Sequence, residues 1–295
     1  MLLEPWLTAE IIGTQFPELR PVRAAFLGEG YDSIAFDVNA GWVFRFPKRP
    51  DVERQLFIER AILPLLAGRI VIPMPAFSFH GVPSDLFPRH FAGYPGLPGV
   101  PAIGVEPAAE NPVGLAPVLG EFLSSLHEFP VEAATALGVP EYAPGLLLDD
   151  VRDETLDDLH RVRQVIPDVP EEAWRSFFER RPATTGVAPT LVHGDLAAEH
   201  ILIDPQGPAV TGIIDWSEVS VSDPAIDFAG LWHWRGSELA SAVLSQYRGR
   251  HDDGLLDRAR YFGACRGVGD VVFGLETGRP EYLRAGIRAL RLCIA

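Results

Sequence analysis

The chain has 295 residues, 47% hydrophobic and 22% charged, with 25 Lys and Arg against 40 Asp and Glu for a net charge of −15. That balance supports a large buried core in two lobes and argues against disorder over most of the length. The acidity argues against nucleic acid or an anionic membrane as partner, and suits a cationic small molecule as well as plain solubility. Two cysteines, Cys265 and Cys293, cannot build a disulfide framework and point to a cytoplasmic location. The N-terminus carries Glu4 and Glu10 with no basic n-region, so no signal peptide is expected, and no charge-free apolar run is long enough to span a membrane.

The first predicted element is a short helix, Thr8–Phe16. Strands are expected at Ala24–Leu27, Ser33–Val38 and Trp42–Phe46, with turns at Gly28-Glu29-Gly30 and Asn39-Ala40-Gly41. Glycines between strands let backbone amides approach phosphate oxygens; an ordinary hairpin turn accounts for them equally well. Val52–Leu66 has apolar residues at helical spacing, and Pro64 is expected to kink or end that helix near Leu63. Ile70–Phe79 and Pro88–Tyr94 read as further strands. Pro and Gly then alternate from Pro95 to Gly99, which sets the expected boundary between an N-terminal lobe, residues 1–94, and a mostly helical C-terminal lobe, residues 95–295. Helices are expected at Val113–Phe129, Leu146–Val165, Glu171–Arg180, Pro224–Trp234, Ser237–Tyr247, Leu255–Gly274 and Pro280–Cys293.

The chemistry concentrates in LVHGDLAAEHILIDPQGPAVTGIIDW, Leu191 to Trp216. Two β-branched runs, Ile201–Ile203 and Val210–Ile214, flank the turn-like Asp204-Pro205-Gln206-Gly207-Pro208, a hairpin pattern. A hairpin brings His193, Asp195 and His200 on one side next to Asp215 on the other. Asp215 and His200 can ligate a divalent cation, and Asp195 can orient a hydroxyl and take its proton. His193, among apolar neighbours, reads as a core histidine. A metal-dependent hydrolase built on the same four residues is an alternative, but it leaves the glycine turn without a role.

H-G-D-L-x-x-x-H-I-L-I-D followed by G-I-I-D-W resembles the catalytic loop and metal-binding segment of the antibiotic phosphotransferases, which have a protein-kinase-like fold. Further similarity lies in T-Q-F-P-E-L, L-G-E-G-Y, V-N-A-G-W-V-F-R-F-P-K, L-P-L-L-A-G and E-F-P-V-E-A-A-T-A-L-G-V-P. Within the family the chain looks most like the aminoglycoside 2''-phosphotransferases, with macrolide phosphotransferases next. The resemblance implies an α+β, bilobal fold: a small antiparallel sheet with one main helix, then a larger helical lobe. It implies Mg²⁺ and ATP or GTP as phosphoryl donor, and a small, cationic, sugar-bearing acceptor.

Residue by residue, the resemblance makes Asp195 the catalytic base and His200 and Asp215 the metal ligands. Gly28, Gly30, Ser33 and Arg45 would hold the nucleotide's phosphates, with Glu59, in preference to Glu53, pairing Arg45. The base would meet the hinge at His90, Phe91, Gly93 and Tyr94. Asp223 and Asp227 match the segment whose second Asp holds the catalytic loop's backbone. The chain departs from the 2''-type pattern where an acidic cluster should follow. It reads G-L-W-H-W-R-G-S-E instead, leaving Trp232, Trp234 and Glu238 beside Asp195 as the candidate acceptor contacts. A metabolic small-molecule kinase or a nucleotide-binding scaffold of the same fold are the other readings.

Overall fold

The computed structural model describes residues 3–105, 112–207 and 209–294. These fall into two compact units, Met1–Gly68 with Pro73–Pro98, and Arg69–Ile72 with Gly99–Ala295. The division after Pro98 lies four residues beyond the expected boundary, within the same Pro/Gly stretch.

The first unit opens with helix α1 (Pro5–Gln15), which starts a turn earlier than expected because Pro5 suits the first helical position. Strands β1 (Ala24–Glu29), β2 (Ser33–Val38) and β3 (Trp42–Pro47), helix α2 (Pro50–Leu66), β4 (Phe79–Gly81) and β5 (Phe91–Pro95) complete it. The sheet is antiparallel in the order β1-β2-β3-β5-β4. Phe36, Phe44, Phe46 and Phe91 are fully buried against Ile11 and Ile12 of α1.

Three expectations are corrected here. Gly28 and Glu29 belong to β1, opposite Ala35 and Ile34, with a register shift after Phe26; the turn itself begins at Gly30. Helix α2 runs through Pro64 to Leu66, since a proline in the last turn forfeits a single backbone bond. Residues 70–78 form no strand, because Pro73 and Pro75 remove ladder donors, and only Phe79–Gly81 pairs.

In the second unit, β6 (Val100–Pro101) is followed by α3 (Ala116–His127), α4 (Val131–Ala136), α5 (Pro144–Val165) and α6 (Glu171–Glu179). Then come β7 (Thr190–Val192), β8 (Ile201–Ile203), β9 (Val210–Ile213), β10 (Ser220–Ser222), α7 (Ala225–Gln246), α8 (Leu255–Thr277) and α9 (Pro280–Ile294). The expected hairpin is β8–β9, extended by β6 into a three-stranded sheet; Pro208 of its turn lies outside the described residues. A second small sheet pairs β7 with β10 and was not anticipated, nor was α4. The two helices expected over 224–247 are present as the two arms of α7, which Gly236 at φ 69° separates by a non-helical kink. Helices α7, α8 and α9 pack on one another, and among the described residues none is long and apolar enough to cross a membrane.

Gly230 of α7 faces the loop after β7, where an added Cβ would fall 1.6 Å from the Leu196 carbonyl oxygen. The helix therefore rests directly on that loop. Gly230→Ala is expected to lower unfolding stability by roughly 1–3 kcal/mol or more through overpacking, checked by urea denaturation.

Candidate active site

The loop between β7 and β8 carries His193, Gly194 and Asp195. Its shape is imposed from below by Asp227, a fully buried carboxylate in the first turn of α7. Asp227 Oδ2 accepts from the His193 backbone N–H at 2.9 Å, and Oδ1 from that of Gly194 at 3.0 Å. His127 Nε2 lies 3.0 Å from Oδ2, and its Nδ1 lies 2.8 Å from the Tyr247 hydroxyl. Gly194 adopts φ 86°, and a Cβ there would meet the Glu218 carbonyl at 2.1 Å, so only glycine fits.

His193 is fully buried, as read from the sequence. Its Nε2 donates to the Ile214 carbonyl at 3.1 Å and its Nδ1 accepts from the Asp195 N–H at 3.3 Å, the pattern of a neutral imidazole. Burial pushes its pKa down, against the pull of Asp227. The ring thus ties the start of the loop to the end of β9. Asp223, at the foot of α7, is clasped by Arg258 of α8 at 2.6 and 3.2 Å, and the same guanidinium reaches Asp252 at 2.8 Å.

The hairpin returns Asp215 to the catalytic loop: His200 Nε2 lies 3.6 Å from Asp215 Oδ2, and His200 Nδ1 lies 3.4 Å from Asp195 Oδ2. Nδ1 also donates to the Asp195 carbonyl at 2.8 Å. Burial disfavours a charge on His200, but Asp195, Asp215 and Glu199 outweigh it and raise its pKa. Asp215 holds φ 60°, a left-handed conformation that costs a non-glycine residue about 1–3 kcal/mol, a strain that marks functional positions. Ser217 Oγ donates to its Oδ1 at 3.0 Å. Among the described residues no group of three or more His, Cys, Asp or Glu could hold a metal by itself. The pair His200–Asp215 therefore fits a cation that takes most of its shell from phosphates and water, as Mg²⁺ does.

In the first unit, Arg45 on β3 is buried and donates to Glu59 of α2 at 2.8 Å; Glu59 is 1% exposed. Glu53, the other candidate, accepts instead from the His90 N–H at 2.8 Å and lies 2.7 Å from His90 Nδ1. Gly28 and Gly30 have open space where a Cβ would be, and Lys48 reaches the Gly30 carbonyl at 2.7 Å. Ser33 begins β2 opposite Pro47. Gly93 is paired on both sides, with Phe44 of β3 and Phe79 of β4, and lies against the Phe44 ring; Phe91 pairs with Gly81 of β4, and pairing with β4 has ended at Tyr94.

The expected acceptor residues separate. Trp234 is 3% exposed and packed in the core, with the Arg235 guanidinium 5.3 Å from its ring centre. Trp232 is half-buried with its indole N–H unpartnered, and Glu238 is exposed beyond the Gly236 break. Sequence reasoning missed Arg266 of α8, which contacts Asp195 Oδ1 through Nη1 and Glu199 Oε1 at 2.5 Å through Nη2. Burial alone would raise the Glu199 pKa; Arg266, helped by His200 and His233, holds it at about 2. The available signal was an isolated charge in an otherwise small and apolar run, F-G-A-C-R-G-V-G.

Residues 23–262 match the phosphotransferase enzyme family. The chain belongs to that family. It is 26% identical over 269 residues to YcbJ, an uncharacterized protein of Bacillus subtilis (strain 168), a match covering 86% of this chain and 84% of that one. It is 28% identical over 159 residues to viomycin phosphotransferase of Streptomyces vinaceus, covering 45% of this chain and 55% of the other. The GDP complex of wild-type aminoglycoside 2'-phosphotransferase-IIIa superposes with a TM-score of 0.76 at 30% identity over 99% of both chains. Macrolide 2'-phosphotransferase MphH from Brachybacterium faecium does so at 0.58 and 26%, over 91% of each. The phosphotransferase thus has the kinase-like fold expected of it.

Within this phosphotransferase the buried pair on α2 and the buried carboxylate on α7 give separable tests. Glu59→Ala removes the carboxylate that Arg45 donates to inside the protein and is expected to cost about 3–5 kcal/mol in chemical denaturation. Asp227→Ala, which strands two backbone donors and His127, is expected to cost a similar amount, roughly 3–5 kcal/mol.

Proposed function

We propose that this phosphotransferase moves the γ-phosphoryl of ATP or GTP to a hydroxyl of a small sugar-bearing acceptor, an aminoglycoside of the 2''-type being the first reading. The observation that carries it is the convergence of Asp195, His200 and Asp215 at one end of the β8–β9 hairpin. Arg45, oriented by Glu59, and the backbone around Gly28 and Gly30 would hold phosphate oxygens, with Ser33 beside them. Tyr94, with His90, Phe91 and Gly93 before it, would mark where the base rests. His200 and Asp215 would hold Mg²⁺, which would supply positive charge against that developing in transfer.

Asp195 orients the acceptor hydroxyl. As the new O–P bond forms and the bond to the departing nucleoside diphosphate breaks, the hydroxyl's O–H bond gives its proton to the Asp195 carboxylate. That proton moves late, because the transition state is loose, so an ordinary carboxylate serves as base. A cytoplasmic antibiotic-modifying enzyme conferring resistance would fit this chemistry and the relatives' names.

Glu238 is the single carboxylate between Gly230 and Glu238, and each exposed ion pair adds only about 0–1 kcal/mol toward a polycation. That favours a second reading, a macrolide or metabolic alcohol as acceptor. In either case Trp232 is the aromatic with surface to offer, while Trp234 is buried.

Incubating the protein with both nucleotides and a mixed aminoglycoside and macrolide panel should give a product one phosphoryl group heavier by mass spectrometry; nucleotide consumed without any such product would refute the transfer reading. Asp195→Ala should slow turnover by about 10²–10⁴-fold with nucleotide affinity nearly unchanged. Asp215→Ala should abolish Mg²⁺-dependent nucleotide binding in calorimetry, and retained binding would remove Asp215 as a ligand.

A further inference from the structure

The geometry points to Arg266 as a positioning residue for phosphoryl transfer, one guanidinium that pins one oxygen of Asp195 and leaves the other to take the acceptor's proton. The inference rests on the phosphotransfer reading above and adds to it a residue from α8, 71 positions from the base.

A free carboxylate turns about its Cβ–Cγ bond and presents either oxygen. Here the two oxygens of Asp195 are distinguished. Oδ1 is taken by Arg266 Nη1, while Oδ2 lies 3.4 Å from His200 Nδ1, whose proton is already given to the Asp195 carbonyl. Arg266 Nη2 holds Glu199 Oε1 at 2.5 Å, so the planar fork spans two carboxylates four residues apart on the catalytic loop. Only arginine supplies two parallel donors at that spacing; a lysine ammonium is a single point charge.

The anchor must itself be immobile for this to work, and it is. Arg258, two turns earlier on α8, is locked to Asp223 and Asp252. Gly267, the next residue after Arg266, has no room to move: a Cβ there would meet Leu290 Cγ at 3.0 Å, and one on Gly286 would lie 2.6 Å from the Gly267 carbonyl. One turn further on, Asp270 lies 2.9 Å from His233 Nε2. Helix α8 is thus pressed against α9 beside Arg266, held before it by the segments that flank α7, and faces α7 after it. Arg266 and Asp195 are half-buried, and an ion pair with that much solvent contact contributes little net stability, so geometry is the better account of the pairing.

The test begins with the wild-type chain on an acceptor identified by mass spectrometry. Arg266→Ala is expected to lower kcat by about 10²-fold, the cost of a base misplaced by an ångström, with the nucleotide Kd and melting temperature as controls of folding. On a D195N background the same change should add less than about a twofold further loss, because there is no base left to orient. R266K should fall between, about tenfold below wild type, with nucleotide Kd unchanged. It also carries the test if R266A does not fold. Wild-type kcat in R266K or R266A, or an equal fold-loss from R266A on both backgrounds, would overturn the role of Arg266 while leaving phosphotransfer in place. No transfer by the wild-type chain to any acceptor would overturn both.

Discussion

A carboxylate sealed from water, Asp227, is what the catalytic loop is built upon. Its two oxygens have to be fully satisfied inside the protein, and two successive backbone N–H groups and an imidazole satisfy them. That requirement fixes the path of the chain at His193 and Gly194. It explains why Gly194 is at positive φ, since the backbone must turn toward α7 without a side chain in the way of Glu218. The next residue, Asp195, is thereby delivered to the end of the hairpin. Because Asp227 and Gly230 share the first turns of α7, helix and loop hold a single register.

The hairpin was legible because its β-branched runs and its Asp-Pro-Gln-Gly turn agree, and a hairpin permits few alternative registers. The strand at Ser33–Val38 was legible from its alternation, whereas the choice of Glu59 over Glu53 came from the resemblance to the family. What could not be read was decided by tertiary context. Residues 70–78 look like a strand by composition, yet Pro73 and Pro75 deny the ladder its donors. The break at Gly236, by contrast, lies where the sequence separates two helices. Trp234, expected at the surface with an acceptor, is in the core, because periodicity alone does not say which side of a late helix its neighbours cover.

Arg266 was beyond reach for a different reason. Its partners are Asp195 and Glu199, and no periodic pattern links positions so far apart. A buried carboxylate in D-L-A-A-E-H announces the need for a cation but not where in the chain the cation lies. Pairing of this kind becomes visible only once α8 is laid against the loop.

The same pairing changes what the net charge of −15 means. The acidity is not gathered at the base. Asp195 and Glu199 share Arg266, Asp223 and Asp252 share Arg258, and Asp270 faces His233. Each of those guanidiniums answers two carboxylates, so the pairs fix the charges around the catalytic loop in place without cancelling them. An exterior field of that sign draws cations toward the protein from a distance and is screened within about 10 Å at ordinary salt. On the proposed function it would affect how often a cationic acceptor arrives, while the choice of which hydroxyl reacts would be left to the few oriented groups beside Asp195. A charge-rich surface and a set of charges held in place are separate devices, and only the second would constrain the chemistry.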